Sequence, residues 1–253
     1  MNSIIFTQHN CITLHLKMPV VPQFSLLKEG LLHLFYPRLC AGCYKSLAGS
    51  ETVLCIGCER QLPETGHAGQ PDNDAAIRLA GRIPFQYAAS LAWFTDDGLL
   101  QILLHGLKYG GRKDIGVYLG QILGTRLKEA GWHRGVDMII PVPLHPAKEA
   151  ARGFNQSYFI GKGISAATGI PVHTDMLVRT RKTESQTRKT RIERVNNMAG
   201  AFRINGAAVA GEKHILLVDD TLTTGATLEA CAMALMYEKS LKISVATIGI
   251  AVT

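Results

Sequence analysis

The chain has no apolar run that approaches the length of a membrane span, so no transmembrane helix is expected. Its start, MNSIIFTQHNCITLHLKM, lacks a basic head and is broken by Gln8, His9 and Asn10, which does not fit a secretory signal. Without such a signal the expected compartment is the cytoplasm, where thiols stay reduced. The phosphate-binding signature G-x-x-x-x-G-K-[ST] is absent, which excludes a P-loop nucleotidase even though ILLVDD (215–220) could pass for its acidic strand. No Asp-x-Asp pair follows that strand, as a phosphoaspartate hydrolase would need. Internal repeats and low-complexity tracts are missing as well.

What remains is a chain of 253 residues, 47% of them hydrophobic, enough for one medium domain with a core and a small appendage. The formal charge of +7 makes polyanions plausible partners. Residues 1–22 have no helix or strand period and are expected as an unstructured extension, with Met18 as the true start. Residues 23–65 are expected to hold a short helix, FSLLKEGLLHLFYPRL, and a cysteine ribbon. Residues 66–83, rich in Gly, Pro, Asp and Asn, read as a linker, and 84–253 as the main domain.

The ribbon rests on LCAGCYKSLAGSETVLCIGC, where Cys40-x-x-Cys43 is followed by Cys55-x-x-Cys58. Two such knuckles can surround one tetrahedral Zn²⁺ through four thiolates. Four protein ligands leave no open position, so the metal's role is structural, and the metal is expected to fold the segment. Cys231 lies on an apolar helix face and reads as inert packing. Cys11 falls in the extension.

Along the main domain, PFQYAASLAWF (84–94) reads as a strand. A helix with Leu99, Leu100, Ile102, Leu103 and Leu107 follows and closes at Gly110 and Gly111. A second helix places Ile115, Leu119, Ile122, Leu123 and Leu127 on its core face. VDMIIPVPLH is a parallel-type strand, FNQSYFIGKGISAATG a helix and IPVH a short strand. LKISVATIGIAVT is the last strand. This order predicts an α/β sheet.

The stretch HILLVDDTLTTGATLEACAMAL (214–235) begins as an apolar strand and ends as a helix with Leu228, Cys231, Leu235 and Met236 on one face. Thr223 or Thr224 is a plausible cap, and Gly225 allows close backbone approach. In an open α/β sheet such a loop sits at the carboxyl edge, where ligands bind. The helix start attracts an anion, and threonine hydroxyls add donors around a phosphate. Asp219 and Asp220, on opposite sides of an extended chain, can accept from sugar hydroxyls or hold Mg²⁺ through water. Acids followed by a phosphate cradle describe a site for ribose 5-phosphate.

This stretch looks like the 5-phosphoribosyl-1-pyrophosphate (PRPP) motif of type I phosphoribosyltransferases. The resemblance implies that Asp219 and Asp220 hold the ribose, and that Thr221, Thr223, Thr224, Gly225 and Thr227 hold the 5-phosphate. PLHPAKEAARGFNQS (143–157) leaves the same sheet edge with His145, Lys148, Arg152, Asn155 and Gln156, donors suited to the pyrophosphate end. Residues 179–203 carry eight basic residues against two acids. A basic loop there can close over a charged substrate, Lys182 meeting the pyrophosphate. Arg179, Arg181, Arg188, Lys189, Arg191 and Arg194 are candidate donors to the phosphates of single-stranded DNA.

Taken together, the four cysteines, KYGGRKDIGVYLG, the 143–157 loop, R-x-R-K-T-x-x-Q and VDDTLTTGAT follow one another as in the ComF family, over roughly residues 25–253. Thr221 departs from that pattern, which usually has Val or Ile there. The resemblance implies a type I phosphoribosyltransferase-like parallel sheet flanked by helices behind a small four-cysteine zinc ribbon, PRPP with Mg²⁺ as ligand, and a link to natural competence. Single-stranded DNA and other DNA-uptake proteins are then the expected partners. An active phosphoribosyltransferase with an unknown acceptor base is the alternative, and no base-recognition element is legible.

Overall fold

The computed structural model describes residues 37–180, 201–205, 212–236 and 241–252. The expected N-terminal extension and first helix lie outside these residues, as does most of the basic segment. From Leu39 onward the chain forms one compact unit.

The sheet has four parallel strands in the order β1-β6-β5-β2. They are β1 (Ala88–Phe94), β2 (Met138–Pro141), β5 (Lys213–Leu222) and β6 (Leu241–Ala251). Each is apolar with little alternation because helices or a small second sheet cover both faces. One face packs α3 (Leu99–Tyr109), α4 (Lys113–Glu129) and α6 (Gln156–Thr168), through Leu103, Leu119, Leu123, Ile160 and Ile164 against Leu216, Val218 and Ile248. The other packs α2 (Asp74–Leu79) and α7 (Ala226–Met236), with Leu79, Leu228, Cys231 and Leu235 against Ile215, Leu217 and Val245. Residues 215 to 218 thus alternate between two buried layers.

α4 and α6 approach so closely that side chains do not fit between them. A Cβ on Gly120 would lie 2.2 Å from the Ile160 carbonyl oxygen, and one on Gly163 would lie 2.1 Å from that of Val117. This contact fixes α6, whose first turn faces the carboxyl end of β5.

Several expectations need correction. Ile102 and Met236 are exposed; the buried face of α3 is Leu100, Leu103, Leu104 and Leu107. IPVH contributes only one parallel bridge, Val172 with Ile139. The 143–157 loop contains a short helix, α5 (Pro146–Arg152), with Pro146 in its first turn and Gly153 closing it at φ 83°. The ends of the basic segment, expected as part of a loop, form short strands. Leu177–Arg179 (β3) pairs antiparallel with Phe202–Ile204 (β4), and the Thr180 amide donates to Ala201.

The largest difference is at 66–83. This stretch holds a 3-10 turn (His67–Gly69) and α2, and it is anchored by buried Asn73. The Asn73 amide nitrogen donates to the carbonyls of His67, Gln70 and Ala88, while its oxygen caps α2 at the Ala76 amide. Composition suggested a linker because turn formers and cap residues are the same residue types. The ribbon is likewise not separate. Cys40, Leu47, Leu54 and Cys58 share one apolar cluster with Leu100, Leu103 and Leu119. Glu64 and Thr65 pair with the edge of β1, and Arg126 of α4 grips the Glu64 carboxylate.

Candidate functional site

The cysteines form the first site. The sulfurs of Cys40, Cys43, Cys55 and Cys58 all lie within 4.8 Å of one another, with Cys43 and Cys55 at 3.7 Å. A tetrahedral ion with metal–sulfur bonds of about 2.3 Å requires sulfur–sulfur edges of roughly 3.8 Å, so the cluster is positioned to bind a metal ion. The Cys55 amide donates to Cys40 Sγ at 3.2 Å, and the Cys58 amide to Cys55 Sγ at 3.5 Å. Burial alone would raise the Cys40 thiol; amides of Cys55, Cys43 and Gly42 outweigh it and bring it down to about 6. Burial and the neighbouring sulfurs push Cys58 up. The Glu51 carboxylate accepts from the Ala48 and Ile56 amides and shapes the turn between the knuckles. α1 (Ile56–Arg60) starts at Cys55, and its Glu59 accepts from the Tyr118 hydroxyl of α4.

The second site is the carboxyl end of β5. The strand runs through Leu222, further than its apolar run suggested, so Asp219, Asp220 and Thr221 are strand residues. Both acids are nevertheless engaged by the first turn of α6. Ser157 Oγ donates to Asp219 Oδ1 at 3.0 Å, and Gln156 Nε2 to Asp220 Oδ2 at 2.8 Å. The Asp220 amide also donates to Asp219 Oδ1 at 2.8 Å. Lys108 Nζ, from the last turn of α3, lies 3.1 Å from Asp220 Oδ2. Arg152 donates to Gln156 Oε1, while its guanidinium stands 5.4 Å from the Tyr109 ring centre. A chain of donors therefore runs from Arg152 through Gln156 to Asp220.

Among the described residues these bonds fall on one oxygen of each acid, Oδ1 of Asp219 and Oδ2 of Asp220. Burial and the charge of Asp220 push the Asp219 carboxyl up to about 7, against the Asp220 amide, Ser157 and Lys108, which favour the anion. Such crowded negative charge fits Mg²⁺ or sugar hydroxyl donors. After Leu222 the chain turns through Thr223, Thr224 and Gly225, the last at φ 77°, into α7. Thr224 Oγ1 is 3.5 Å from the Ala226 amide, at the limit of a cap bond. Thr223 is exposed, Thr227 half-buried on α7, and Thr221 Oγ1 is buried without a partner among the described residues.

No family profile matches the chain. Individual relatives do. It is 30% identical to the DNA utilization protein YhgH of Salmonella typhi over 211 residues, 79% of this chain and 91% of that protein. Competence protein ComFC of Bacillus subtilis is 32% identical over 201 residues, 79% of this chain and 78% of that one. The chain belongs to the ComF family. Competence protein F of Haemophilus influenzae is 26% identical over 207 residues, covering 77% and 89%. In backbone, this ComF-family chain is similar to adenine phosphoribosyltransferase of Leishmania tarentolae, 13% identical with a TM-score of 0.35, covering 75% of this chain and 94% of that structure.

The other expected residues divide. Arg152 and Gln156 join the acid pair, whereas Asn155 is used structurally, its oxygen capping α6 at Ser157 and its nitrogen donating to the Val142 carbonyl. His145 caps α5 in the same way, at Ala147. Lys148 is exposed on α5. Arg179 lies on β3, 5.2 Å from the Phe202 ring centre. Lys182, Arg181, Arg188, Lys189, Arg191 and Arg194 lie outside the described residues. Sequence reasoning missed Lys108, Ser157, Arg78 and Arg82. Lys108 stands in KYGGRK, whose position before a glycine pair marks the end of a helix but not which strand end it meets. Among the described residues no helix is long and apolar enough to cross a membrane.

Proposed function

We propose that this protein binds PRPP with Mg²⁺ at the carboxyl edge of its sheet and acts on DNA during uptake, its metal site holding a structural zinc. The observation that carries the PRPP reading is the pair Asp219–Asp220. Donors from α3 and α6 occupy one oxygen of each acid, and a glycine turn into the start of α7 follows directly. In this reading Asp219 and Asp220 accept from the ribose hydroxyls and hold Mg²⁺. Residues Thr221 to Thr227 surround the 5-phosphate. Arg152, with Lys148 and Lys182, faces the pyrophosphate. Zinc fits the ribbon because four thiolates in a closed tetrahedron are its usual structural set. The DNA role rests on the competence and DNA-utilization names of the relatives and on the basic segment between β3 and β4.

Calorimetric titration with PRPP and Mg²⁺ tests the core of this reading. Asp219→Asn with Asp220→Asn keeps shape and removes charge, so affinity should fall by about 2 kcal/mol or more, since hydrogen bonds to charged groups contribute roughly 1.5–3 each. Unchanged affinity would place the site elsewhere. The second reading, an active phosphoribosyltransferase, is supported by the Arg152–Gln156–Asp220 chain, because a guanidinium beside the acid pair could neutralise a leaving pyrophosphate. Pyrophosphate release in the presence of a nucleobase separates the two.

For DNA, fluorescence anisotropy at several salt concentrations measures the phosphate contacts. Each contact contributes roughly −0.7 to the slope of log affinity against log salt, so about four give a slope near −3. Replacing Arg188, Lys189 and Arg191 by Ala should bring the slope to about −1. A triple variant with the original slope would remove this segment from DNA binding.

A further inference from the structure

The turn after β5 is gripped from outside by two arginines of the segment that follows the ribbon. Arg78 Nη1 donates to the Leu222 carbonyl at 3.3 Å and to the Thr223 carbonyl at 3.1 Å. Arg82 Nη1 donates to the next carbonyl, that of Thr224. Its Nε and Nη2 hold Glu229 Oε2 at 3.0 and 2.5 Å. In a planar trans peptide the carbonyl of one residue and the amide of the next point to opposite sides. Three successive carbonyls drawn toward guanidinium groups therefore turn the amides of Thr223, Thr224 and Gly225 the other way. Those three amides make no hydrogen bond among the described residues. With Gly225 at φ 77°, successive amides of this kind form a concave nest for an anion.

The packing limits how the turn can relax. A Cβ on Gly225 would meet Leu79 Cδ2 at 3.0 Å and Arg82 Nη1 at 3.1 Å, so α2 and Arg82 form the wall against which the turn rests. Glu229, in the first turn of α7, would repel an anion bound at that helix start; the Arg82 side chain, only 8% exposed, neutralises it.

We propose that Arg78 and Arg82 are positioning residues of the anion site. Resting on the PRPP reading above, they hold the turn so that three amides face the 5-phosphate, and they touch no ligand themselves. The segment that composition marks as a linker thereby ties the ribbon's exit to the phosphate turn.

The test uses the full zinc-loaded chain with two readouts. Arg82→Lys keeps a cation beside Glu229 but cannot span both Glu229 and Thr224. Arg78→Gln removes the charged donor from a half-buried site. The double variant should bind PRPP about tenfold or more weakly, as expected when the binding-competent turn falls to roughly a tenth of the population, while its melting temperature falls only modestly because a cation still stands beside Glu229. Backbone ¹⁵N relaxation supplies the second readout, without ligand. Thr223, Thr224 and Gly225 should have order parameters near about 0.85 in the parent and below about 0.6 in the double variant. A rigid turn and parental affinity in the double variant would overturn the proposal. A parent that ignores PRPP would remove the functional reading alone, and the relaxation result would still decide for or against the clamp.

Discussion

The cysteine cluster takes all four sulfurs from residues 40 to 58, whereas the acid pair at 219 and 220 takes its partners from residues 108, 156 and 157, and the turn after it is braced from residues 78 and 82. One site is assembled by local chain geometry and is positioned to bind a metal ion. The other exists only when helices far apart in sequence are packed onto one sheet. A local site can be read from spacing alone, and a distributed one only from its endpoints. The two regions are nevertheless one structure, because the ribbon shares its apolar cluster with α3 and α4.

That shared cluster sets the largest expected effect. Structural zinc sites contribute about 10–16 kcal/mol of folding free energy, which matches the whole stability of a domain at about 5–15. Removing the metal, or Cys58→Ser, should therefore shift a single cooperative melting transition rather than unfold the ribbon alone. Scanning calorimetry of zinc-loaded and chelator-treated protein measures this. An early ribbon transition followed by an unchanged main one would show that the two regions are independent, as spacing and composition had suggested.

The distributed site should respond instead to changes in helix packing that leave the ribbon's ligands alone. Gly120→Ala places a Cβ 2.2 Å from the Ile160 carbonyl oxygen, a backbone atom that cannot rotate away. The expected cost is about 3 kcal/mol, the upper range for overpacking, because α4 and α6 must separate. Since α6 carries Gln156 and Ser157, PRPP affinity should fall with stability while zinc content stays constant. Denaturant unfolding, metal analysis and a PRPP titration on one preparation would show it. Loss of zinc in step with affinity would mean that the packing defect reaches the ribbon as well.

The parts that were legible share a property: their signal is carried by neighbours in the chain. The knuckles, the apolar strand ending in Asp219–Asp220 and the glycine turn are of this kind. The helix faces of α3 and α4 were legible for the same reason, apart from exposed Ile102. Asn73 was missed because a buried asparagine that satisfies three carbonyls looks, in sequence, like any turn residue. Asn155 was read as a donor to a pyrophosphate, whereas its nitrogen donates to the Val142 carbonyl and its oxygen caps α6, a role that spacing does not reveal. Arg78 and Arg82 carried no signal, since their targets are carbonyls more than a hundred residues away.

A third effect concerns the charge of Asp219. Its carboxyl is raised toward about 7 by burial and by Asp220, far above the ordinary 3.8 of an unfolded chain. Between those values the folded protein binds a proton that the unfolded chain has released, so stability falls as pH rises through this window and levels off above it. Asp219→Asn keeps an oxygen to accept from Ser157 and from the Asp220 amide but carries no charge. It should match the parent's melting temperature near pH 4 and exceed it progressively toward pH 7. The gain above that follows at about 2–4 °C for each kcal/mol in a chain of this size. The acid pair then costs the fold stability through its own burial and repulsion, whereas the cysteine cluster is expected to stabilise the fold when a metal is bound. Melting curves from pH 4 to 8 measure the difference. A parent more stable than the variant at pH 8 would mean that Lys108 already neutralises the pair and that the site carries no stored repulsion.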